Sequence, residues 1–263
     1  IIVYKQIMTG LTEPIMTYSA KISIGRLVNA GVNKNVAMRI KQPFEYVQMP
    51  LFNPSGSYQN YIFPLILLLV LQQTMLLGIG MLAGTRKELM LRAKRLGYKD
   101  VKYCDYSDNA LEIIIGRGLA YTFLYILYAM FYFIVFPAIA LFPMTFNFSA
   151  LFLLLIPYLF AASMLGQTLV VLVTERETSL LLLIIISVPL IFLPGYVWPK
   201  ESMPLLVKIF ANFFPSTPGI DAIVRINQFG GSFNMVTTQF SILIALCLLY
   251  FTTAYFATKK LCK

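Results

Sequence analysis

Few side chains in this 263-residue chain could do covalent or acid–base chemistry. The chain has no histidine, and its three cysteines, Cys104, Cys247 and Cys262, lie far apart with no CxxC spacing. Imidazole catalysis, a zinc site and a disulfide framework are therefore not supported. Glu175 and Glu177 form only a weak candidate pair for general acid–base work. We predict no catalytic, cofactor-binding or metal-binding residues, and an enzyme is the least favoured class.

The sequence also lacks an energy source of its own. No GxxxxGK[ST] motif occurs, and the glycine-rich stretch 78–84 ends an apolar segment, where small residues more often mark close helix packing. Five apolar stretches contain no Asp, Glu, Lys or Arg, the residues that ion-driven transporters bury in their spans. If the chain moves a solute, a separate ATPase subunit would have to bind the ATP and Mg²⁺.

A basic segment follows the first apolar stretch. Residues 85–96, TRKELMLRAKRL, place apolar side chains at helical spacing between basic ones and predict an amphipathic helix. Such a helix suits docking into a groove on an ATPase partner, and it equally suits lying on anionic lipid. Ser107 or Asp108 is the expected N-cap of the next helix. The candidate ATPase-coupling residues are Arg86, Lys87, Glu88, Arg92, Arg95 and Leu96.

Prolines interrupt the end of the fourth apolar stretch. Pro189, Pro194, Pro199 and Pro204 remove backbone donors, and Gly195 loosens the helix further. We interpret the region 199–225 as short helices that dip into the outer leaflet and form an external gate; a kinked span with an outer loop is the alternative. The candidate gate residues are Pro194, Gly195, Trp198, Pro199, Met203 and Pro204.

Polar side chains inside the apolar stretches are few. Gln72 and Gln73 lie in the first stretch, and Ser163 and Gln167 share one helix face of the third because they are four residues apart. They could hydrogen-bond a neighbouring helix, which is the favoured role, or contact a solute on its path.

Overall composition indicates what positions these groups. Hydrophobic residues make up 59% of the chain and charged residues only 12%, with a mean hydropathy of +0.76. A water-soluble globule is excluded, and stretches of about 20 apolar residues must be helical in a bilayer. We expect an all-α polytopic membrane protein with five transmembrane helices, at 61–83, 118–141, 149–173, 179–198 and 238–257.

The distribution of charge predicts the orientation. Much of the +10 net charge lies at 84–117 and in the C-terminal tail, which the positive-inside rule places in the cytoplasm. Lipid rather than nucleic acid is then the expected anionic neighbour. Five spans put residues 1–60 outside, as part of an external domain with a helix at 14–30 and short strands at 36–39 and 44–49. We expect a further transmembrane helix to precede residue 1, since 1–5 offer no signal sequence.

Three stretches, in order, resemble the ABC-2 type permeases of bacterial ABC exporters. Residues 51–55 through Tyr61, with Pro64 and LLGIGMLAG, resemble the family's YNP-type turn before its second helix. Arg86-Lys87-Glu88 resembles its inner Arg-Glu element, widened by a lysine. PGYVWPKESMP at 194–204 is similar to its SG-x-x-x-P-x-x-x-MP signature, with proline in place of serine. The resemblance covers most of 51–263.

The resemblance implies an ABC-2 permease fold in which 61–263 form the transmembrane domain, with coupling segment 84–117 and reentrant gate helices. It implies partners: an ABC ATPase subunit with ATP and Mg²⁺, a second identical or different permease half, and a periplasmic adaptor. The protein would lie in the bacterial inner membrane, with its C-terminus on the cytoplasmic side. The expected function is export of a hydrophobic or amphipathic solute, as in drug-efflux permeases. A structural or assembly subunit of a secretion or motility complex is the alternative.

Overall fold

A computed structural model describes residues 2–40, 58–98, 103, 109–140, 148–196, 198, 200–228 and 233–262. Within these ranges the regular secondary structure is entirely helical. The chain divides into two compact units, residues 1–58 and 59–263.

The described part of the first unit is a pair of helices, α1 (Ile2–Asn29) and α2 (Lys34–Ile40). The expected strand at 36–39 is wrong, because those residues lie inside α2. Asn33 explains the error: its side chain accepts the Asn35 backbone N–H at 3.0 Å, the start signal of a helix, and this local cap outweighs the β-like alternation. The strand expected at 44–49 lies outside the described residues.

The second unit begins with α3 (Tyr58–Arg95) and continues with α4 (Ala110–Met130), which runs through a π-helical turn (Phe131–Val135) into α5 (Phe136–Ile139). The remaining helices are α6 (Phe148–Leu169), extended by a 3₁₀ turn (Val170–Leu172), α7 (Arg176–Phe192), α8 (Leu205–Ala211), α9 (Ser216–Gln228) and α10 (Thr237–Leu261). Two further 3₁₀ turns cover Lys200–Ser202 and Phe233–Val236.

In the described residues, four helical segments are long and apolar enough to cross a membrane: Ile62–Arg95, Ala110–Ile139, Phe148–Leu172 and Phe233–Leu261. They cover most of four of the five expected spans, those at 61–83, 118–141, 149–173 and 238–257. The fifth, at 179–198, is not confirmed as a span. Its helix α7 has 17 residues, about 26 Å at 1.5 Å per residue, and ends at Phe192. Pro194 and the turn at Gly195 explain the early end.

Helix α6 forms the centre of the second unit and packs against α4, α9 and α10. Tyr158 is fully buried there, and its hydroxyl lies 2.8 Å from the Leu68 carbonyl oxygen and 3.1 Å from Gln72 Oε1 on α3. Gly219 lets α9 approach closely, since a Cβ at that position would lie 2.7 Å from the Tyr158 ring. This buried tyrosine therefore joins α3, α6 and α9.

Two local expectations need correction. The N-cap of α4 is Asn109, whose side chain accepts the Leu111 backbone N–H at 3.1 Å, and not Ser107 or Asp108. Asn competes equally well with Ser and Asp for this position, so residue type alone does not locate the start. Cys262 is disulfide-bonded, whereas Cys247 is free, so the chain contains a disulfide that the cysteine spacing did not predict.

Candidate functional site

The basic segment 85–96 is not a separate helix but the last three turns of α3. The helix ends where the Tyr98 N–H donates to the Ala93 carbonyl, with Gly97 at φ +95° in the left-handed conformation that glycine adopts without strain. Leu96 is 77% exposed, and Arg92 and Arg95 are also exposed. Three of the predicted coupling residues therefore lie on an accessible surface at the end of one long rigid helix.

The side chains of Lys87 and Glu88 bond to the connection between α6 and α7. The Lys87 ammonium donates at 2.8 Å to the carbonyl of Val170, in the 3₁₀ turn that extends α6, and also to the carbonyl of Val173, which caps that turn. Glu88 Oε1 accepts the Arg176 backbone N–H, the first of α7, at 2.7 Å. A cation thus satisfies the C-terminal end of one helix and an anion the N-terminal end of the next, each with the sign that the helix dipole favours.

We call Lys87, Glu88 and the connection 170–176 that they hold the inner clamp. Two glycines on the same face of α3 let it close. A Cβ at Gly84 would lie 2.7 Å from the Arg176 backbone nitrogen and Cα, and a Cβ at Gly80 would lie 2.8 Å from Ser179 Cβ. Since the first neighbour is backbone and cannot rotate away, the clamp requires a residue without a side chain at position 84.

Arg86 lies on a different side of the same turn, in a recess between α3, α4, α6 and α10 that it shares with Arg117. The Arg117 guanidinium carbon lies 5.6 Å from the centre of the Tyr103 ring. Burial raises the pKa of the Tyr103 phenol, while Arg117 and then Arg86 act to lower it. The phenol is thus a neutral hydrogen-bonding group beside two cations.

The predicted gate residues that the structure describes lie in the turn after α7 and in the segment that leads to α8. Pro194 is buried, Gly195 has φ +90°, and Met203 is 5% exposed, whereas Trp198 is exposed and Pro204 starts α8 as its N-cap. Pro199 lies outside the described residues. Helices α8 and α9 are 7 and 13 residues long, so each is much shorter than a full crossing.

Asp221 on α9 contacts side chains of the 3₁₀ turn after α7, of α9 itself and of α10. One of its oxygens accepts the Gln239 side-chain amide of α10 at 2.6 Å and lies 3.5 Å from Arg225 Nε, and the other lies 3.6 Å from Lys200 Nζ. One carboxylate thus joins the turn after α7 to α9 and α10. A Cβ at Gly195 would overlap the Lys200 side chain, so the glycine keeps that lysine within reach of Asp221. We call these residues the outer anchor.

The interior polar residues form interhelical contacts. Ser163 Oγ donates to the Gly118 carbonyl of α4 at 3.4 Å, and Gln167 Nε2 to the Ile114 carbonyl at 3.5 Å. Gln72 is fully buried against Tyr158 through its oxygen. The Gln72 amide nitrogen and the Gln73 amide oxygen are buried without a hydrogen-bond partner among the described residues. Ser163 and Gln167 thus both join α6 to α4, whereas Gln72 joins α3 to α6.

Sequence reasoning missed several residues that organise these regions. Asp221 and Gln239 are separated by 18 positions and Tyr158 and Leu68 by 90, and no spacing rule connects such pairs. Gly84 did carry a signal, since it belongs to a run of small residues that predicts close packing. In the described residues, no group of three or more Cys, Asp or Glu side chains is placed to hold a metal ion.

Comparison with protein families gives one match. The model of a family described as ABC-2 family transporter protein matches residues 6–256 of the chain. No curated protein and no solved structure gives a significant match.

Proposed function

We propose that this chain, which belongs to the ABC-2 family of transporter proteins, is the membrane-spanning half of an ATP-driven exporter. It is a multi-pass membrane protein, and its family is a membrane transport component. The finer assignment concerns energy, direction and cargo. An ATPase subunit binds ATP and Mg²⁺ and drives the chain, which moves a hydrophobic or amphipathic solute outward across the bacterial inner membrane.

The observation that carries this proposal is the inner clamp. The exposed end of α3 carries Arg92 and Arg95, and one turn earlier the same helix is bonded to the end of α6 and the start of α7 through Lys87 and Glu88. A rigid helix that is held to two others transmits displacement of its end to both of them. A nucleotide-dependent movement of a partner at this surface would therefore reach three helices at once.

The proposal divides the predicted coupling residues into two groups. Arg92, Arg95 and Leu96 contact the ATPase subunit, because they are exposed and combine positive charge with an apolar side chain. Lys87 and Glu88 transmit the movement inside the chain. Segment 84–117 then faces the cytoplasm with the C-terminus, and residues 1–60 lie outside, where an adaptor could bind them.

A second permease half, identical or different, completes the transporter. Helix α4 has a broad apolar exposed face that includes Leu119, Phe123 and Leu127. Only 22% of the most apolar 18-residue stretch of the segment Ala110–Ile139 is buried within the chain. Lipid and the second half are the apolar surroundings that such a face requires. The outer region 199–225, held by the outer anchor, would gate the exit.

Co-purification tests the ATPase contact. The full chain carrying R92E and R95E is purified from its native host, and bound ATPase subunits are quantified by mass spectrometry. The matched control is K259E with K260E, which reverses the same number of exposed charges at the end of α10. We expect the R92E and R95E variant to lose the ATPase subunit and the control to retain it. The reason is that charges affect an interface through where they lie as well as through the total charge of the protein.

Two outcomes would contradict the proposal. Equal retention of the ATPase in both variants would remove the end of α3 as the docking surface. A complex that hydrolyses ATP in liposomes but moves none of a panel of amphipathic dyes, while a secretion or motility phenotype depends on it, would favour the assembly subunit instead.

A further inference from the structure

A second cationic feature lies inside the bundle, separate from the exposed end of α3. It is a shallow recess, partly open to solvent, between the inner parts of α3, α4, α6 and α10. Its polar lining consists of Arg86, Tyr103, Arg117, Tyr121, Gln167 and Thr258. Two positive side chains therefore line one partly open recess that also presents hydroxyl and amide groups.

The two arginines bring like charges together in the recess. Both act on the same phenol, Tyr103, so they lie close enough to repel each other in a partly buried place where water screens poorly. In the described part of the chain, both ion pairs involve Asp221 at the outer anchor, and neither arginine of the recess takes part in one. The nearest clamp carboxylate, Glu88, already accepts the Arg176 N–H. An external anion would offset this repulsion.

The walls decide which anion fits. Arginine pairs suit the several oxygens of a phosphate, since each guanidinium offers a fork of parallel donors. Thr258 also lines the recess and is 5% exposed, which adds a hydroxyl group deep in its wall. The rest of the lining is apolar, and Leu82, on the rim, is half exposed. A phosphate attached to hydrocarbon would satisfy both the cations and the apolar rim.

The position within the fold agrees with a headgroup. Helices α3, α6 and α10 end on this side of the bundle and α4 begins there, so the recess lies where the helices leave the apolar layer. Basic residues near such helix ends attract anionic lipid, and each lysine or arginine strengthens the binding about fivefold.

We propose that the recess binds the phosphate of an acidic phospholipid, held between Arg86 and Arg117, with the acyl chains along the apolar rim. This assigns Arg86 to lipid rather than to the ATPase subunit. The assignment stands independently of the proposed transport function, because it concerns a ligand of the isolated chain.

Native mass spectrometry of the purified full chain tests the site with dioleoyl-phosphatidylglycerol and dioleoyl-phosphatidylcholine as probes. We expect tighter binding of phosphatidylglycerol, weakened about tenfold or more in R86Q/R117Q because two charge-assisted contacts are lost. The control is R92Q/R95Q, which removes the same two positive charges from the exposed end of α3 and should leave binding within about twofold.

Several outcomes would overturn the assignment. Equal affinity of the wild-type chain for the two lipids would do so without any variant, and so would a loss in R92Q/R95Q as large as in R86Q/R117Q. Displacement of phosphatidylglycerol by excess inorganic phosphate would reassign the recess to a free anion. If the glutamine variant does not fold, R86K/R117K keeps the charge and should still weaken phosphatidylglycerol binding, since lysine lacks the guanidinium fork; unchanged binding would refute the arginine contact.

Discussion

Two glycines on one helix should respond in opposite directions to the same substitution. Gly78 and Gly84 both lie within α3, six residues apart. A Cβ at Gly78 meets only the Tyr125 hydroxyl, at 4.0 Å, whereas a Cβ at Gly84 would lie 2.7 Å from three backbone atoms of the 175–176 connection. Gly78→Ala should therefore stabilise the helix by about 0.5–1 kcal/mol, the usual advantage of alanine over glycine.

Gly84→Ala gains the same helix propensity but must displace backbone. Ordinary carbon contacts begin near 3.4 Å, so the connection would have to move by about 0.7 Å. Overpacking of this kind costs about 1–3 kcal/mol. The same movement would lengthen the 2.7 Å bond from the Arg176 N–H to Glu88 and lose about 1 kcal/mol of helix capping. The net expectation is a loss of about 1–3 kcal/mol.

Thermal unfolding of both variants in one detergent measures the difference. With the scaling known for soluble domains of 150–250 residues, each kcal/mol shifts the midpoint by about 2–4 °C. We expect Gly78→Ala to melt slightly above the wild type and Gly84→Ala several degrees below it. Equal midpoints for the two variants would refute the close approach of α3 to the connection and, with it, the inner clamp.

Three further substitutions test the clamp and the outer anchor. Glu88→Ala should cost about 1 kcal/mol in thermal unfolding, and Glu177→Ala, an exposed carboxylate in the first turn of α7, should cost less; the reverse order would exclude Glu88 as the cap. Gly195→Ala should destabilise the chain more than Gly97→Ala, because both glycines have positive φ but only the first would clash, with Lys200; equal losses would point to backbone strain alone. Asp221→Asn should change stability by less than about 1 kcal/mol, since its ion pairs are partly exposed, yet accelerate amide exchange at 200–211; unchanged exchange would argue against the anchor.

Hydropathy located most of the membrane-spanning helices because bilayer thickness constrains length and forces helical backbone. It could not decide whether α3 stops at the membrane surface. Residues 85–96 have both the apolar spacing of an independent amphipathic helix and good helix formers throughout, so nothing in them interrupts α3 before Gly97. The helix therefore continues as one rod, which matters for how a partner could move it.

Ends of helices and polar contacts were less accessible to sequence reasoning. The fourth apolar stretch satisfies the length rule when apolar residues are counted, but its prolines end α7 at Phe192. Lys87 and Glu88 look like solvated charges in sequence, and only the return of the chain at 170–176 makes them caps. Such pairings depend on tertiary contacts more than 80 residues apart, which local patterns do not encode.

The contacts form a continuous path from the inner surface to the outer region. The clamp joins α3 to α6, Tyr158 on α6 lies against α9 at Gly219, and Asp221 joins α9 to Lys200 and α10. A continuous path of contacts transmits a conformational change only if some element along it can adopt two arrangements. Helix α6 is a poor candidate for such an element, because 67% of its most apolar 18-residue stretch is buried and close-packed side chains resist small displacements. The 3₁₀ turn Lys200–Ser202 is held to α9 through a half-exposed lysine, so breaking that ion pair costs little in water. If a partner displaced α3, the physical difference between these two places predicts that the core would carry the displacement rigidly and that the conformation would change only at the outer anchor.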